Sequence, residues 1–378
     1  MQIPGLESLP LTRRVLEEGI GEGLHLGAQL SVSRRGMPVA DGAVGEDRPG
    51  VPLTPDHLML WLSTGKPVGA VAIGQLWERG KLEIDDPVAK HIPEFAANGK
   101  EAITIRHLLT HTGGIRMLDV GWPQDSWDRI IARICARKPE PRWVAGQKAG
   151  YHTESSWFIL GEIVRRIGGR TYDRTVREEI FGPLGMRDCW VGMPLDRYLA
   201  YQEADRIGAM WDTEKRDPEK PWPPRHEWDT PERCTTVNPG GNGYGPVREL
   251  RRFYEMLLDR GTFQGRRILR SETVDALTSR QRTGMIDATF LHVIDWGLGF
   301  IIDSKRYGAE TVPYGYGHHA SDRTFGHSGY RSSTAFADPE HGLAVALVWN
   351  GTPSSEDHER RVRATLDALY EDLGLAGS

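Results

Sequence analysis

Ser63, Thr64, Gly65 and Lys66 place a hydroxyl and an amine three residues apart. On a helix, residues at that spacing share a face, so the Lys66 amine can reach the Ser63 hydroxyl. A serine hydroxyl is a poor nucleophile until a base removes its proton. A lysine serves as that base when burial and positive neighbours lower its pKa, and Ser–Lys pairs are an attested alternative to Ser-His-Asp. A Ser at a helix start also has free backbone N–H groups beside it, which favour developing negative charge. The preceding run, Met59-Leu60-Trp61-Leu62, is apolar, so Ser63 is expected to emerge from the interior at a helix start. The chain has 17 Ser and nine Lys. Random placement then gives roughly 0.4 SxxK matches, so the pair takes its meaning from context. Alone it reads equally as a Ser N-cap followed by a solvated Lys.

Other familiar patterns fail on inspection. Gly65-Lys66 is not a phosphate-binding loop, because position 60 is Leu and Pro67 follows the Lys. His107 and His111 lie four apart, but Leu108 stands where a zinc protease needs Glu, so His111 is expected to cap a helix or fix a turn. Gly326-His327-Ser328-Gly329 has its second Gly one residue too early for a nucleophile elbow. Cys135, Cys189 and Cys234 are far apart and form no CxxC pair, so no disulfide framework and no zinc site is expected. Neither a metal nor a cofactor is implied.

The elements that would hold these residues follow from periodicity. Helices are expected over 11–21, 64–79, 154–167, 247–259, 271–280 and 357–373, with a short one at 105–110 capped by Thr104. Strands are expected at 27–33 and 39–44, joined by a hairpin containing Gly36, and again at 297–302, 334–337 and 343–349. Strands therefore cluster at both ends of the chain with helices between. That pattern predicts an α+β fold: one antiparallel sheet built from residues 1–60 and 270–378, flanked by helices, with a mostly helical inserted domain at 61–269. The stretch 211–239 carries Trp211, Trp222, Trp228 and six prolines and resists regular structure. It is either a lid or binding loop, with Trp228 its candidate substrate contact, or a surface insertion whose Trp side chains seal the core.

Composition narrows the classes. The 378 residues carry 47 basic and 52 acidic side chains, a formal charge of −5, and 32 aromatic residues. Disorder is excluded, and without a basic run no nucleic-acid partner is expected. No apolar run of 18 residues occurs, so no membrane span is expected. The start, MQIPGLESLP, lacks a basic region, an apolar run and a cleavage site, which points to a cytoplasmic protein. Only nine of the 47 basic residues are Lys, so a motif that demands Lys seldom arises here by accident.

Further motifs follow Ser63–Lys66 in order. They are Leu82-x-x-Asp85-Asp86-Pro87-Val88, then Ile103 to Gly114, then Tyr151 with Leu160-Gly161-Glu162-Ile163. Asn238-Pro239-Gly240-Gly241, Trp296-Gly297-Leu298-Gly299 and Gly326-His327-Ser328-Gly329 complete the series. Over nearly its whole length the chain thus resembles the serine β-lactamase and penicillin-binding superfamily. Its nearest likeness is the class C-like branch of family VIII esterases, transesterases and D-aminopeptidases. The resemblance implies a β-lactamase-like fold with Ser63 as the acylated nucleophile. Lys66 would orient or deprotonate it, and Tyr151 would share the base role and protonate the leaving group. His327 and Gly329 would line the strand edge beside Ser63, with His327 donating to substrate or to Tyr151. The N–H groups of Ser63 and Tyr330 would form the oxyanion hole.

Two positions depart from the lactamase pattern. Thr153 stands where the second motif has Asn, and His327 where the third has Lys. Thr supplies one hydroxyl in place of an amide, and His removes a fixed positive charge, so esters or uncharged acyl groups suit the site better than penicillins. The expected activity is acyl transfer through acyl-Ser63, from a small ester or amide donor to water or to an amine or alcohol. An esterase or biosynthetic transacylase leads. A β-lactamase or D-alanyl-D-alanine peptidase is the alternative, followed by a non-catalytic acyl-binding relative. Oligomeric state is left open.

Overall fold

A computed structural model describes residues 3–217 and 219–377. Its main sheet has seven antiparallel strands in the order Ile301–Ile302, Phe325–Gly329, Ser333–Asp338, Leu343–Trp349, Gly27–Arg34, Met37–Arg48 and Val51–Pro52. The two ends of the chain meet at its centre, where Ala28 pairs with Trp349 and Arg34 with Leu343. The fold is α+β with one antiparallel sheet drawn from both ends, as the strand signals imply.

Both faces of this sheet are covered, which explains why 343–349 is an unbroken apolar run. Ala28, Leu30, Val32, Phe336, Val345 and Leu347 face one layer with Leu16, Val362, Leu366 and Leu369. That layer belongs to the terminal helices Pro10–Gly21 and Ser355–Asp372. Ala335, Ala337, Ala344, Ala346 and Val348 face the other, against Leu250, Phe253 and Leu257 of the helix Val247–Leu258. The alternation of neighbours along one strand is the period of two that a pleated sheet imposes. The division expected at residue 269 does not follow this packing. The Val247 N–H donates to Gln29 Oε1 at 3.3 Å and Arg251 Nε to Ser31 Oγ at 3.0 Å, so Val247–Leu258 belongs with the sheet.

Three further differences have local causes. The strand read over 297–302 shrinks to Ile301–Ile302, because Gly299, at φ +84°, turns the chain and Gly297 N–H bonds back to the Phe300 carbonyl at 2.9 Å. The helix read over 64–79 begins as a 3-10 turn, Ser63–Gly65, before continuing as Lys66–Glu78. Within 211–239, Trp211 is buried, its indole donates to the Asp47 carbonyl at 2.9 Å, and its backbone bridges to Arg225 and Gly351. Trp211 thus closes one end of the sheet, and a short helix, Pro231–Thr235, follows.

Candidate active site

The strand Met59–Leu62 pairs with Gly243–Gly245, which also pairs with Trp190–Val191. The Trp61 indole pins the pair by donating to the Gly245 carbonyl at 2.9 Å. Leu62 then takes φ +50°, a backbone conformation that β-carbon residues rarely adopt and that holds Ser63 at a sharp strand-to-helix turn. Ser333 braces the turn, donating to the Trp61 carbonyl at 2.7 Å and meeting the Thr64 hydroxyl at 2.9 Å.

Lys66 lies one turn on and is fully buried. Its Nζ donates to Ser63 Oγ at 2.7 Å and to the Gly240 carbonyl. Burial lowers its pKa from 10.5 to about 7, with the Glu154 carboxylate opposing the shift. The amine is therefore divided between its two protonation states near neutral pH, the condition a general base needs.

Tyr151 is buried beside this pair, with Lys66 Nζ 5.2 Å from its ring centre. Its hydroxyl lacks a partner in hydrogen-bond geometry, yet Ser63 is near enough to favour its ionisation. Burial outweighs that effect and pushes the phenol pKa well up, so Tyr151 is a neutral O–H. The Tyr151 N–H donates to Asp287 Oδ1 at 3.0 Å, and Asp287 Oδ2 pairs with the buried Arg282 at 3.0 Å. Arg282 reaches the Thr110 carbonyl at 3.0 Å, closing the frame around Tyr151. His111 completes it: at φ +57° its Nδ1 accepts from the His152 N–H at 3.0 Å, and its ring packs 4.7 Å from that of Tyr151.

His327 lies on the strand Phe325–Gly329, its ring 6.0 Å from that of Tyr151. Its Nδ1 is 2.9 Å from the Ser328 carbonyl, which can only accept, so Nδ1 carries the proton. Burial and Lys66 push its pKa down to about 3, leaving a neutral ring whose Nε2 is a buried, unpaired acceptor. The expected donor role is thus reversed. Gly329 sits against the nucleophile turn: a Cβ there would fall 2.5 Å from the Trp61 carbonyl oxygen and 2.3 Å from Ser333 Oγ. That close approach lays the end of the strand, just before Tyr330, against the turn that carries Ser63. Neither the Ser63 N–H nor the Tyr330 N–H is taken up by a turn, loop or cap bond among the described residues.

Ser63, Lys66, Tyr151, His327 and Gly329 thus meet in one place. Among the described residues, Thr153 and Trp228 make no hydrogen bond or ring contact with Ser63 or Lys66. Thr153, the substrate-binding candidate of the second motif, is exposed, and Lys66 donates to the Gly240 carbonyl. The Trp228 ring stacks flat on His226 at 3.9 Å, and its carbonyl accepts from Tyr244 Oη at 2.6 Å. That bond ties Trp228 to the small sheet. The Tyr330 side chain is exposed and meets Arg331, which is ion-paired with Glu214.

The family model described as Beta-lactamase matches residues 12–370. The chain belongs to the beta-lactamase family. It is 27% identical over 343 residues to the esterase/beta-lactamase LipL of Mycobacterium tuberculosis, covering 86% of this chain and 77% of LipL. Penicillin-binding protein 4 of Amycolatopsis lactamdurans is 30% identical over 312 residues, covering 80% of this chain and 74% of that protein. Among solved structures, a penicillin-binding protein homologue from Caulobacter crescentus superposes with a TM-score of 0.78 at 30% identity, over 98% of this chain and 99% of that one. These relatives support a serine hydrolase activity for this family member.

Sequence reasoning missed Glu154, Asn238, Arg282 and Asp287 as parts of the site. Asn238 lay inside a quoted motif, but nothing local tied it to Lys66. His111 was read as a turn residue, which it is, and its place against Tyr151 emerges only from the fold. The three cysteines are buried and free. Among the described residues, no helix is long and apolar enough to cross a membrane.

Proposed function

We propose that this protein is a serine esterase or acyltransferase that works through an acyl-Ser63 intermediate on small, uncharged acyl donors. The observation that carries the reading is the buried Lys66 amine, poised near pH 7 at 2.7 Å from Ser63 Oγ. Ser63 Oγ attacks the donor carbonyl as its proton passes to neutral Lys66. The oxyanion accepts from the Ser63 and Tyr330 N–H groups. The leaving alkoxide then takes the proton from the Lys66 ammonium, directly or through the Tyr151 hydroxyl. Water, an amine or an alcohol cleaves the resulting ester by the reverse sequence. A neutral Tyr151 suits relay and donation, which gives Lys66 the base role.

A preference for uncharged groups is supported by three features. His327 is neutral where a lysine would hold a carboxylate, Thr153 offers a hydroxyl in place of an amide, and Arg331 is committed to Glu214. The penicillin-binding relatives favour a second reading, a D-alanyl peptidase or β-lactamase, which rapid nitrocefin turnover would support. The deciding experiment is mass spectrometry after incubation with p-nitrophenyl acetate, with and without amine acceptors. An acetyl adduct on Ser63 is expected, absent from Ser63→Ala, and Lys66→Ala should lose about 10³-fold or more in acylation rate. Retained turnover in Ser63→Ala would show that another residue is the nucleophile.

A further inference from the structure

A buried ammonium needs a partner that repays its lost hydration. Among the described residues, Thr153 makes no hydrogen bond to Lys66. The contacts run elsewhere. Lys66 Nζ donates to the Gly240 carbonyl. The Gly240 N–H donates to Asn238 Oδ1 at 2.9 Å, and Asn238 Nδ2 donates to Glu154 Oε1 at 2.7 Å. Asn238 is itself fixed, its N–H donating to Asn242 Oδ1 at 2.9 Å while Asn242 Nδ2 holds the Thr236 carbonyl at 2.7 Å. Gly240 also lies directly on the segment that carries Glu154. A Cβ there would come within 2.9 Å of the Thr153 carbonyl oxygen and 3.4 Å of Glu154 Cα.

We propose that Glu154 is a positioning residue for Lys66, fixing the Gly240 carbonyl through Asn238 and placing a carboxylate at the far end of that relay. The proposal rests on Ser63–Lys66 being the reactive pair. Its physical content is a division of labour. Asn238 and Gly240 set where the amine sits, and the Glu154 charge, at a remove, keeps its proton affinity from collapsing under burial. The groups bearing on Lys66 and Glu154 are few. Ser63 and Tyr151 touch or overlie the amine, and neutral His327 and His111 lie close enough for its charge to depress theirs. Asp119 and Arg233 act on Glu154 with opposite signs. Burial raises the Glu154 pKa while the Asn238 hydrogen bond and Lys66 favour its charged form, so removing that charge has a defined direction.

Glu154→Gln keeps an acceptor for Asn238 Nδ2 and removes the charge, so the Lys66 ammonium loses its counter-charge and its pKa falls. Glu154→Asp restores the charge. With nine lysines, protein labelled with ¹³C at lysine Cε gives a countable spectrum, in which Lys66 is the signal missing from Lys66→Met. The Lys66 titration midpoint should drop by about half a unit or more in Glu154→Gln and lie near wild type in Glu154→Asp. The acid limb of kcat/KM for p-nitrophenyl acetate should move to lower pH by the same amount. Asn238→Ala should lower kcat about tenfold with little change in KM, and the Glu154→Gln/Asn238→Ala pair should be less than additive. A midpoint unmoved in Glu154→Gln overturns the proposal. A shifted midpoint in a protein that never acylates Ser63 upholds it and sinks the functional reading instead.

Discussion

At the residue scale, two buried lysines show what separates a reactive amine from a structural one. Lys100 is as inaccessible as Lys66, but its Nζ donates to the carbonyls of Ala97, Cys135 and Arg137 and, among the described residues, bonds to no hydroxyl. Lys66 faces Ser63, and its remaining surroundings are largely the rings of Tyr151 and Trp157. The Ser63–Lys66 pairing was legible because it depends on one helical turn. Its poise was not, because Glu154 and Asn238 arrive from distant parts of the chain. The poise has a cost in stability with a definite sign. Lys66 falls from 10.5 to about 7 on folding, so between those values the unfolded chain binds the extra proton. The Lys66 contribution to stability is therefore most unfavourable below pH 7 and eases as pH increases towards 10. Lys66→Met, similar in volume and uncharged, should raise the urea midpoint at pH 7, and the gain should shrink by pH 10. An equal gain at both pH values would contradict the burial account.

At the element scale, the site is made by short pieces that carry little periodic signal. The runs 343–349 and 154–167 were readable because each repeats a pattern long enough to define its period, and they appear as Leu343–Trp349 and Ser155–Gly168. The strands Met59–Leu62 and Gly243–Gly245 were not, since three or four residues define no period and the Trp61 indole holds them together. The strand Phe325–Gly329 is the other wall of the site, and its tight fit to the nucleophile turn is a prediction in itself. Gly329→Ala puts a methyl group where the Trp61 carbonyl and Ser333 Oγ already are. The edge should retreat, carrying the Tyr330 N–H out of reach of the oxyanion, with a loss of about 10²-fold in kcat/KM. Burst kinetics with p-nitrophenyl acetate would measure it. Wild-type acylation in Gly329→Ala would mean that the Tyr330 N–H does not serve the oxyanion.

At the scale of the whole molecule, the two ends of the chain stabilise each other. The helix Pro10–Gly21 has Leu9 at its N-cap, which offers no side-chain acceptor. Asp372, from the last helix, takes that role, accepting from the N–H groups of Leu11 at 3.1 Å and Thr12 at 2.8 Å and from the Thr12 hydroxyl at 2.8 Å. Periodicity revealed both terminal helices, but a cap supplied across the entire sequence leaves no local trace. Asp372→Ala should destabilise the fold by about 1–2 kcal/mol, seen as a lower urea midpoint with acylation of the folded fraction unchanged. The same closure has a consequence in time. Gly27 donates to Asn350 Oδ1 across 323 residues, and the strand from Gly27 meets its central neighbour only at Leu343–Trp349. At a synthesis rate of roughly 5–20 residues per second, the N-terminal hairpin waits on the order of 15–65 s with an apolar edge unpaired. The active site waits with it, because Ser63 and Lys66 meet their second wall only once Phe325–Gly329 has been made.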